Sequence, residues 1–299
     1  MKENKTLGRW AIDAVLMLIT FFVIQEVVNI VVMLVDCYLN HTDFTELAQG
    51  VANGTQGKIV AVSSVMSSLI TIMLFPRLRW TPINRTYLRS RPWITLLWCA
   101  LLALGTILPF EWVYEKLQIQ INDADQALFE SVMREPWGYV ALGVLAPIAE
   151  EFVFRGGILR VLLNIMRGRN WREEAHDSSH DTAHSEAFTH KWSPYVAIAL
   201  SALLFGAVHM NLAQGVHGFI MGLLLGWLYY RTGSMMPAII IHWVNNTVAY
   251  VMFALMPQMA DGKLIDLFHG SERMMLTGIL CSLCIFFPSL FQIIVRTKK

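Results

Sequence analysis

Runs of apolar residues separated by short polar stretches make up most of the chain. They are Trp10–Val35, Ile59–Phe75, Trp93–Phe110, Trp137–Leu159, Tyr195–Met210, Val216–Tyr230, Pro237–Met256 and Met274–Val295. Each holds about 15 to 26 residues, and about 20 are needed to cross ~30 Å of hydrocarbon as a helix. Barrel strands would be shorter and would alternate in polarity. The pattern predicts an all-α, polytopic membrane protein, a bundle of about eight transmembrane helices forming one integral membrane domain over residues 1–299.

Composition agrees. Hydrophobic residues are 55% of the chain and charged ones 15%, with a mean hydropathy of +0.49, which excludes a soluble globule. The first run is too long for a signal-peptide core and lacks a small-residue cleavage signature, so it is expected to remain as a span of an integral plasma (inner) membrane protein.

Charge then orients the bundle, because Lys and Arg mark the cytoplasmic side. Lys2, Lys5 and Arg9 precede the first run; Arg77, Arg79, Arg85, Arg89 and Arg91 follow the second; Arg160, Arg167, Arg169, Arg172 and Lys191 follow the fourth. The intervening loops, around Asp43 and Glu46 and from Glu111 to Glu135, are acidic, and the tail ends in Arg296, Lys298 and Lys299. Both termini are expected in the cytoplasm, with Trp10, Trp93, Trp112, Trp137 and Trp192 as interfacial anchors. A net charge of +1 gives no sign of a nucleic-acid partner. The partner it does imply is the lipid bilayer, and the sequence is silent on oligomeric state.

Two cysteine and histidine patterns take bland readings. Cys281 and Cys284 form a C-x-x-C inside the last run, where a redox motif beside a strand is not expected, so they read, like Cys37 and Cys99, as small packing residues. His176, His180, His184 and His190 lie in the longest polar stretch. The first three, four apart, could line one helix face and hold a metal or sense pH, but a solvated cytoplasmic loop is the simpler expectation. No internal repeat and no phosphate-binding glycine loop is present.

Chemistry concentrates elsewhere. Glu150, Glu151 and Arg155 interrupt the fourth run, and carboxylates in hydrocarbon cost roughly 2.5 to 3.5 kcal/mol each on insertion scales, so they belong in a bundle interior or watery cavity. At 3.6 residues per turn Glu151 and Arg155 can pair, while Glu150 projects roughly 100° away and must be satisfied from outside its helix. Phe205 and His209, and then His242 and Asn246, repeat the i, i+4 spacing on later runs. A glutamate, two imidazoles and a carboxamide from three helices make either a water-activating site or a metal site; the bland alternative is that the histidines are packed and the Asn binds helices together.

These residues resemble a known family. E-E-x-x-x-R at Glu150–Arg155, F-x-x-x-H at Phe205–His209 and H-x-x-x-N at His242–Asn246 are similar to the motifs of the CAAX protease and bacteriocin-processing family of intramembrane proteases, which includes type II CAAX prenyl endopeptidases. The resemblance covers residues 137–256 as a catalytic core and implies hydrolysis of a peptide bond in a membrane-associated protein or peptide. Carried over, Glu150 and His209 would bind and activate the water, with Glu150 as general base; His242 and Asn246 would donate to the oxyanion; Glu151, Arg155 and Phe205 would support the site. The family has been described as metalloproteases, and Glu150, His209 and His242 could take zinc, but no H-E-x-x-H is present. A cofactor-free glutamate mechanism is set ahead of a zinc-dependent one. A non-proteolytic scaffold or a bacteriocin self-immunity factor of the same fold is the other class. A transporter would show two similar halves, and none is seen.

Depth tests this only in part. At ~1.5 Å per residue from the cytoplasmic ends, Glu150 and Asn246 lie ~14 Å deep, His242 ~8 Å and His209 ~21 Å. Either the fifth helix protrudes inward or its boundary is misread, and Asn211–Gly215 is expected to turn below the outer surface. The site is expected to open toward the cytoplasm or inner leaflet.

Overall fold

The structure is a computed structural model that describes residues 7–83, 93–117, 123–167, 193–256 and 263–297. His176, His180, His184 and His190 lie outside the described residues, as do Arg85, Arg89 and Arg91.

All the apolar runs are helical, and among the described residues there is no strand. We label the helices α1 (Leu7–Asn40), α2 (Phe44–Ala52), α3 (Gly57–Arg77), α4 (Trp93–Lys116), α5 (Asp123–Met133), α6 (Ala146–Glu151), α7 (Arg160–Arg167), α8 (Ser193–Ala207), α9 (Leu212–Thr232), α10 (Met236–Leu255) and α11 (Glu272–Arg296). Two π-helical segments, π1 (Tyr139–Leu145) and π2 (Phe152–Leu159), flank α6, and a 3₁₀ turn (Leu264–Phe268) precedes α11. Six of these, α1, α3, α4, α9, α10 and α11, are long and apolar enough to cross a membrane. The other two apolar runs are built differently. One is the segmented helix 139–167; the other is α8, whose 15 residues reach only ~22 Å at ~1.5 Å per residue.

The fourth run was read as one regular helix ending near Leu159, and here the structure corrects the reading. Pro147 lacks the N–H that would bond the carbonyl of residue 143, so the ladder ahead of it cannot stay regular. It widens instead, and the Ala146 N–H reaches the Ala141 carbonyl. A second widening follows Glu151, and helix resumes to Arg167. Such insertions displace carbonyls that, once buried, need other donors. The Thr81 hydroxyl donates to the Phe152 carbonyl (2.6 Å), and the Asn246 amide donates to the Leu142 carbonyl (2.9 Å). Arg160 then ties this helix to the turn after α3, its guanidinium donating to the carbonyls of Gly156 (3.0 Å) and Trp80 (2.8 Å).

Packing encloses that run on every side. Met17 and Phe21 of α1, Phe75 of α3 and Phe205 of α8 bury Val153, Phe154 and Ile158, while Ala197, Ile198 and Tyr229 bury Phe152, Leu159 and Leu163 from the other flank. Helices α8 and α9 meet at backbone contact: a Cβ on Gly206 would fall 2.4 Å from the Gly215 carbonyl oxygen, and one on Gly222 would fall 2.9 Å from Ala202 Cα. Small residues permit this approach, as in membrane helix pairs generally. On the far side α4 packs along α11 and α10.

Two smaller expectations also change. The turn after the fifth run falls earlier than Asn211–Gly215, because Met210 takes a left-handed conformation (φ 54°) and Asn211 caps α9, its side chain accepting from the Gln214 N–H. Cys281 and Cys284 are exposed on α11 and so do not pack; the buried small residues there are Ser282 and Ser289.

Candidate active site

The polar residues of the interior gather where α6, π2, α8 and α10 meet. Glu151, fully buried, accepts two hydrogen bonds on Oε1, from Arg155 Nη1 (2.9 Å) and from His242 Nδ1 (3.0 Å). Its Oε2 and the Arg155 Nε are buried without a hydrogen-bond partner in the described structure. Arg155 otherwise spends its charge on Gly222, whose carbonyl accepts from Nη2 (3.4 Å), and on the Phe205 ring, 4.4 Å from Cζ. The spacing-based pairing of Glu151 with Arg155 is therefore observed. What spacing could not show is that the same oxygen holds a histidine from a helix 91 positions away.

Glu150 projects elsewhere, as the helical wheel required, and its outside partner is the same residue. His242 Nε2 lies 3.6 Å from Glu150 Oε2, and the Glu150 side chain retains 21% exposure while Glu151 has none. One imidazole thus touches both adjacent carboxylates, a different nitrogen to each. A carboxylate can only accept, so the hydrogen on His242 sits on Nδ1 toward Glu151. The Nε2 facing Glu150 then bears a lone pair in the neutral ring and an N–H only in the imidazolium.

His209 stands one ring further out. Its Nδ1 donates to the Phe205 carbonyl (2.8 Å), which fixes the tautomer and leaves Nε2 as the free nitrogen. No hydrogen bond or ion pair joins it to Glu150. The connection runs through Phe205, whose ring meets His209 edge-on at 5.3 Å and His242 at 5.7 Å while its face carries Arg155. Phe205, buried on α8, is the residue around which the three cationic or imidazole side chains are arranged. Asn246, one turn beyond His242 on α10, gives one amide hydrogen to the Leu142 carbonyl and accepts on Oδ1 from Asn245 Nδ2 (3.4 Å).

Sequence reasoning missed a neighbouring trio. Tyr114 of α4, His217 of α9 and Asn245 of α10 are hydrogen-bonded in series, with Tyr114 Oη 3.1 Å from His217 Nδ1 and Asn245 Nδ2 3.3 Å from His217 Nε2. His217 carried a usable signal, being an ionisable residue within an apolar run. It sits at the edge of that run, two positions from Gly215.

Among the described residues no group of three or more His, Cys, Asp and Glu side chains is disposed to hold a metal ion, so Glu150, His209 and His242 do not form a ligand set as they stand. His242 gives Nδ1 to Glu151 and His209 gives Nδ1 to a backbone carbonyl, which leaves the Nε2 of each ring without a hydrogen bond among the described residues.

Residues 133–248 match the family model described as Type II CAAX prenyl endopeptidase Rce1-like. The matched segment contains all three motifs and every residue of the cluster just described except Tyr114. Comparison with curated proteins gives no match, and comparison with solved structures gives none either. The family resemblance is shown over this segment, and with the membrane-length helices it supports a multi-pass membrane protein with a peptidase of the CAAX type.

Proposed function

We propose that the chain is an intramembrane endopeptidase in which Glu150 and His209 activate water, and His242 and Asn246 stabilise the oxyanion. The observation that carries the reading is the contact of one imidazole with both carboxylates inside the segment that matches the peptidase family. Glu150 is the only one of the two glutamates with any exposure, and Arg155 pairs with Glu151 rather than with it, so Glu150 is the one available to a water molecule.

The proposed reaction follows from those roles. Glu150 takes a proton as the water oxygen forms its bond to the scissile carbonyl carbon, and the displaced carbonyl electron pair becomes an oxyanion. The second N–H of Asn246 and the Nε2–H of His242 in its imidazolium form donate to that oxygen, in a setting where fixed donors act strongly. The C–N bond then breaks and the amine nitrogen takes the proton from Glu150. Glu151 contributes by holding His242 at Nδ1, the part a buried carboxylate plays toward its histidine in a catalytic triad. No step is routed through a metal.

The substrate class is proposed from the family description, a peptide ending in Cys-aliphatic-aliphatic-X with or without a prenyl group. The test uses purified protein in detergent with internally quenched peptides of that pattern, S-farnesylated and unmodified, and with Glu150→Gln as the comparison. Cleavage by the parent and its loss in Glu150→Gln is the expected result. Equal cleavage by both proteins overturns the assignment.

We also propose the topology read from the charges, with both termini cytoplasmic. Single cysteines replacing Asn53 and Leu78 in a cysteine-free protein test it with an impermeant reagent on intact cells. Asn53→Cys is expected to label from outside and Leu78→Cys to resist; the reverse inverts the bundle.

A further inference from the structure

The Tyr114, His217 and Asn245 trio has no part in the reaction above, yet it ends on a residue that does. Asn245 has two amide hydrogens and spends both, one on His217 Nε2 (3.3 Å) and one on Asn246 Oδ1 (3.4 Å). Because that amide donates, His217 Nε2 accepts, and the ring hydrogen lies on Nδ1, which donates to Tyr114 Oη (3.1 Å). Asn246 in turn donates to the Leu142 carbonyl (2.9 Å). The series runs unbroken from α4 through α9 and α10 to π1.

Its consequence concerns a carboxamide, whose two ends are nearly identical in shape. An amide at position 246 could turn over with little steric cost, exchanging oxygen for nitrogen. Turned over, its NH₂ would face the NH₂ of Asn245 and its oxygen would face the Leu142 carbonyl, so two favourable contacts would become two repulsive ones. The same turn of α9 also abuts His209: a Cβ on Gly218 would lie 3.4 Å from that ring.

We propose that His217 is a positioning residue of the peptidase site, which through Asn245, and with Tyr114 behind it, locks the Asn246 amide with its nitrogen toward Leu142 and the oxyanion. The proposal rests on the peptidase reading. It extends that site beyond residues 133–248, because Tyr114 lies outside the matched segment. It assigns to α4 a part in catalysis that none of the three motifs contains.

The test measures kcat and KM separately on the quenched peptides. His217→Phe removes both hydrogen bonds and keeps a ring. It is expected to lower kcat by about 10- to 100-fold, the scale of a small misplacement of a reacting group, with KM unchanged. His217→Gln, which retains a donor and an acceptor, should recover most of the loss, and Tyr114→Phe should lose least. Combined with Asn246→Ala, His217→Phe should cost nothing more, because its effect passes through that amide. Full kcat in His217→Phe, or losses that multiply in the double variant, overturns the relay. Should His217→Phe fail to fold, the same cycle is run with Asn245→Ala, which cuts the series at its next link, and the same two results decide. Glu150→Gln in parallel separates the levels: if the parent cleaves nothing the peptidase reading falls, if Glu150→Gln is fully active the assignment of the reacting residues falls, and if it is inactive beside a fully active His217→Phe only the relay falls. A readout independent of turnover is the ¹⁵N spectrum of histidine-labelled protein, with the His217 signals identified by their absence in His217→Gln. Hydrogen on Nδ1 is expected, and hydrogen on Nε2 overturns the proposal.

Discussion

Helix α1 and the helical run 139–167 are both predominantly apolar segments of similar length, but the second concentrates acidic and basic residues in one stretch, Glu150, Glu151, Arg155 and Arg160. In the folded chain they differ in almost every respect. Along α1 the side chains of Ile12, Val23 and Leu34 are more than half exposed, and the helix is unbroken for 34 residues. Along 139–167 every residue from Phe152 to Leu159 is buried, and the helix changes register on both sides of Glu150 and Glu151. The difference teaches how a membrane bundle sorts its segments. Lipid tails and a protein core are equally apolar, so hydrophobicity drives neither segment inward, and packing and polar contacts decide. The run that carries charge is enclosed because Arg155, Glu150 and Glu151 find His242, Phe205 and Gly222 only inside.

The sharpest way to break this contrast is at Glu150. Glu150→Gln keeps shape and hydrogen bonding but removes the proton acceptor, so turnover should fall by about 10²- to 10⁴-fold while Tm stays at the parental value. Retained turnover would show that the enclosed run carries its charge for some other reason. Next in size is Glu151→Gln. It leaves the buried guanidinium of Arg155 uncompensated, at a cost of about 3 to 5 kcal/mol, and deprives His242 of its anionic acceptor. Thermal unfolding in detergent beside the cleavage rate tests it; an inactive variant as stable as the parent would mean that Glu151, rather than supporting the site, performs the chemistry.

Two smaller predictions concern packing alone. A Cβ on Gly156 would fall 2.4 Å from Thr81 Cγ2 and 2.7 Å from Met235 Sδ, so Gly156→Ala should destabilise by about 1 to 3 kcal/mol through overpacking. Unchanged Tm would mean that Thr81 and Met235 yield easily and that the enclosure is looser than it looks. On α1, Val23→Ala should change stability by less than about 0.5 kcal/mol, as surface substitutions do. A loss comparable to that of Gly156→Ala would show that this outward face is covered by another protein surface.

Much of this was legible in the sequence, for physical reasons. The apolar runs fold into helices because backbone polar groups in hydrocarbon have no other way to be satisfied. Glu150, Glu151 and Arg155 were conspicuous because charge there is costly, and the wheel angle between the glutamates holds. What could not be read were departures from 3.6 periodicity. The π segments arise around Pro147 and after Glu151, and no spacing rule marks where a ladder will widen. The end of the fifth run was equally hidden: α8 stops at Ala207, and His209 belongs to the turn beyond it. The His217 relay was hidden for another reason. Asn245 is an ordinary residue in an apolar run and Tyr114 lies just past the end of another, and only tertiary structure brings them together.

The turn that follows α3 has a consequence of its own. Thr81 and the Trp80 carbonyl each hold the helix that bears the glutamates, one at Phe152 and the other through Arg160. Connections between helices ordinarily drift in length and composition as proteins diverge. This one is part of the foundation of the site: lengthening it by a residue between Phe75 and Thr81 would pull on the turn of helix directly after Glu151, so the freedom to vary begins only beyond it.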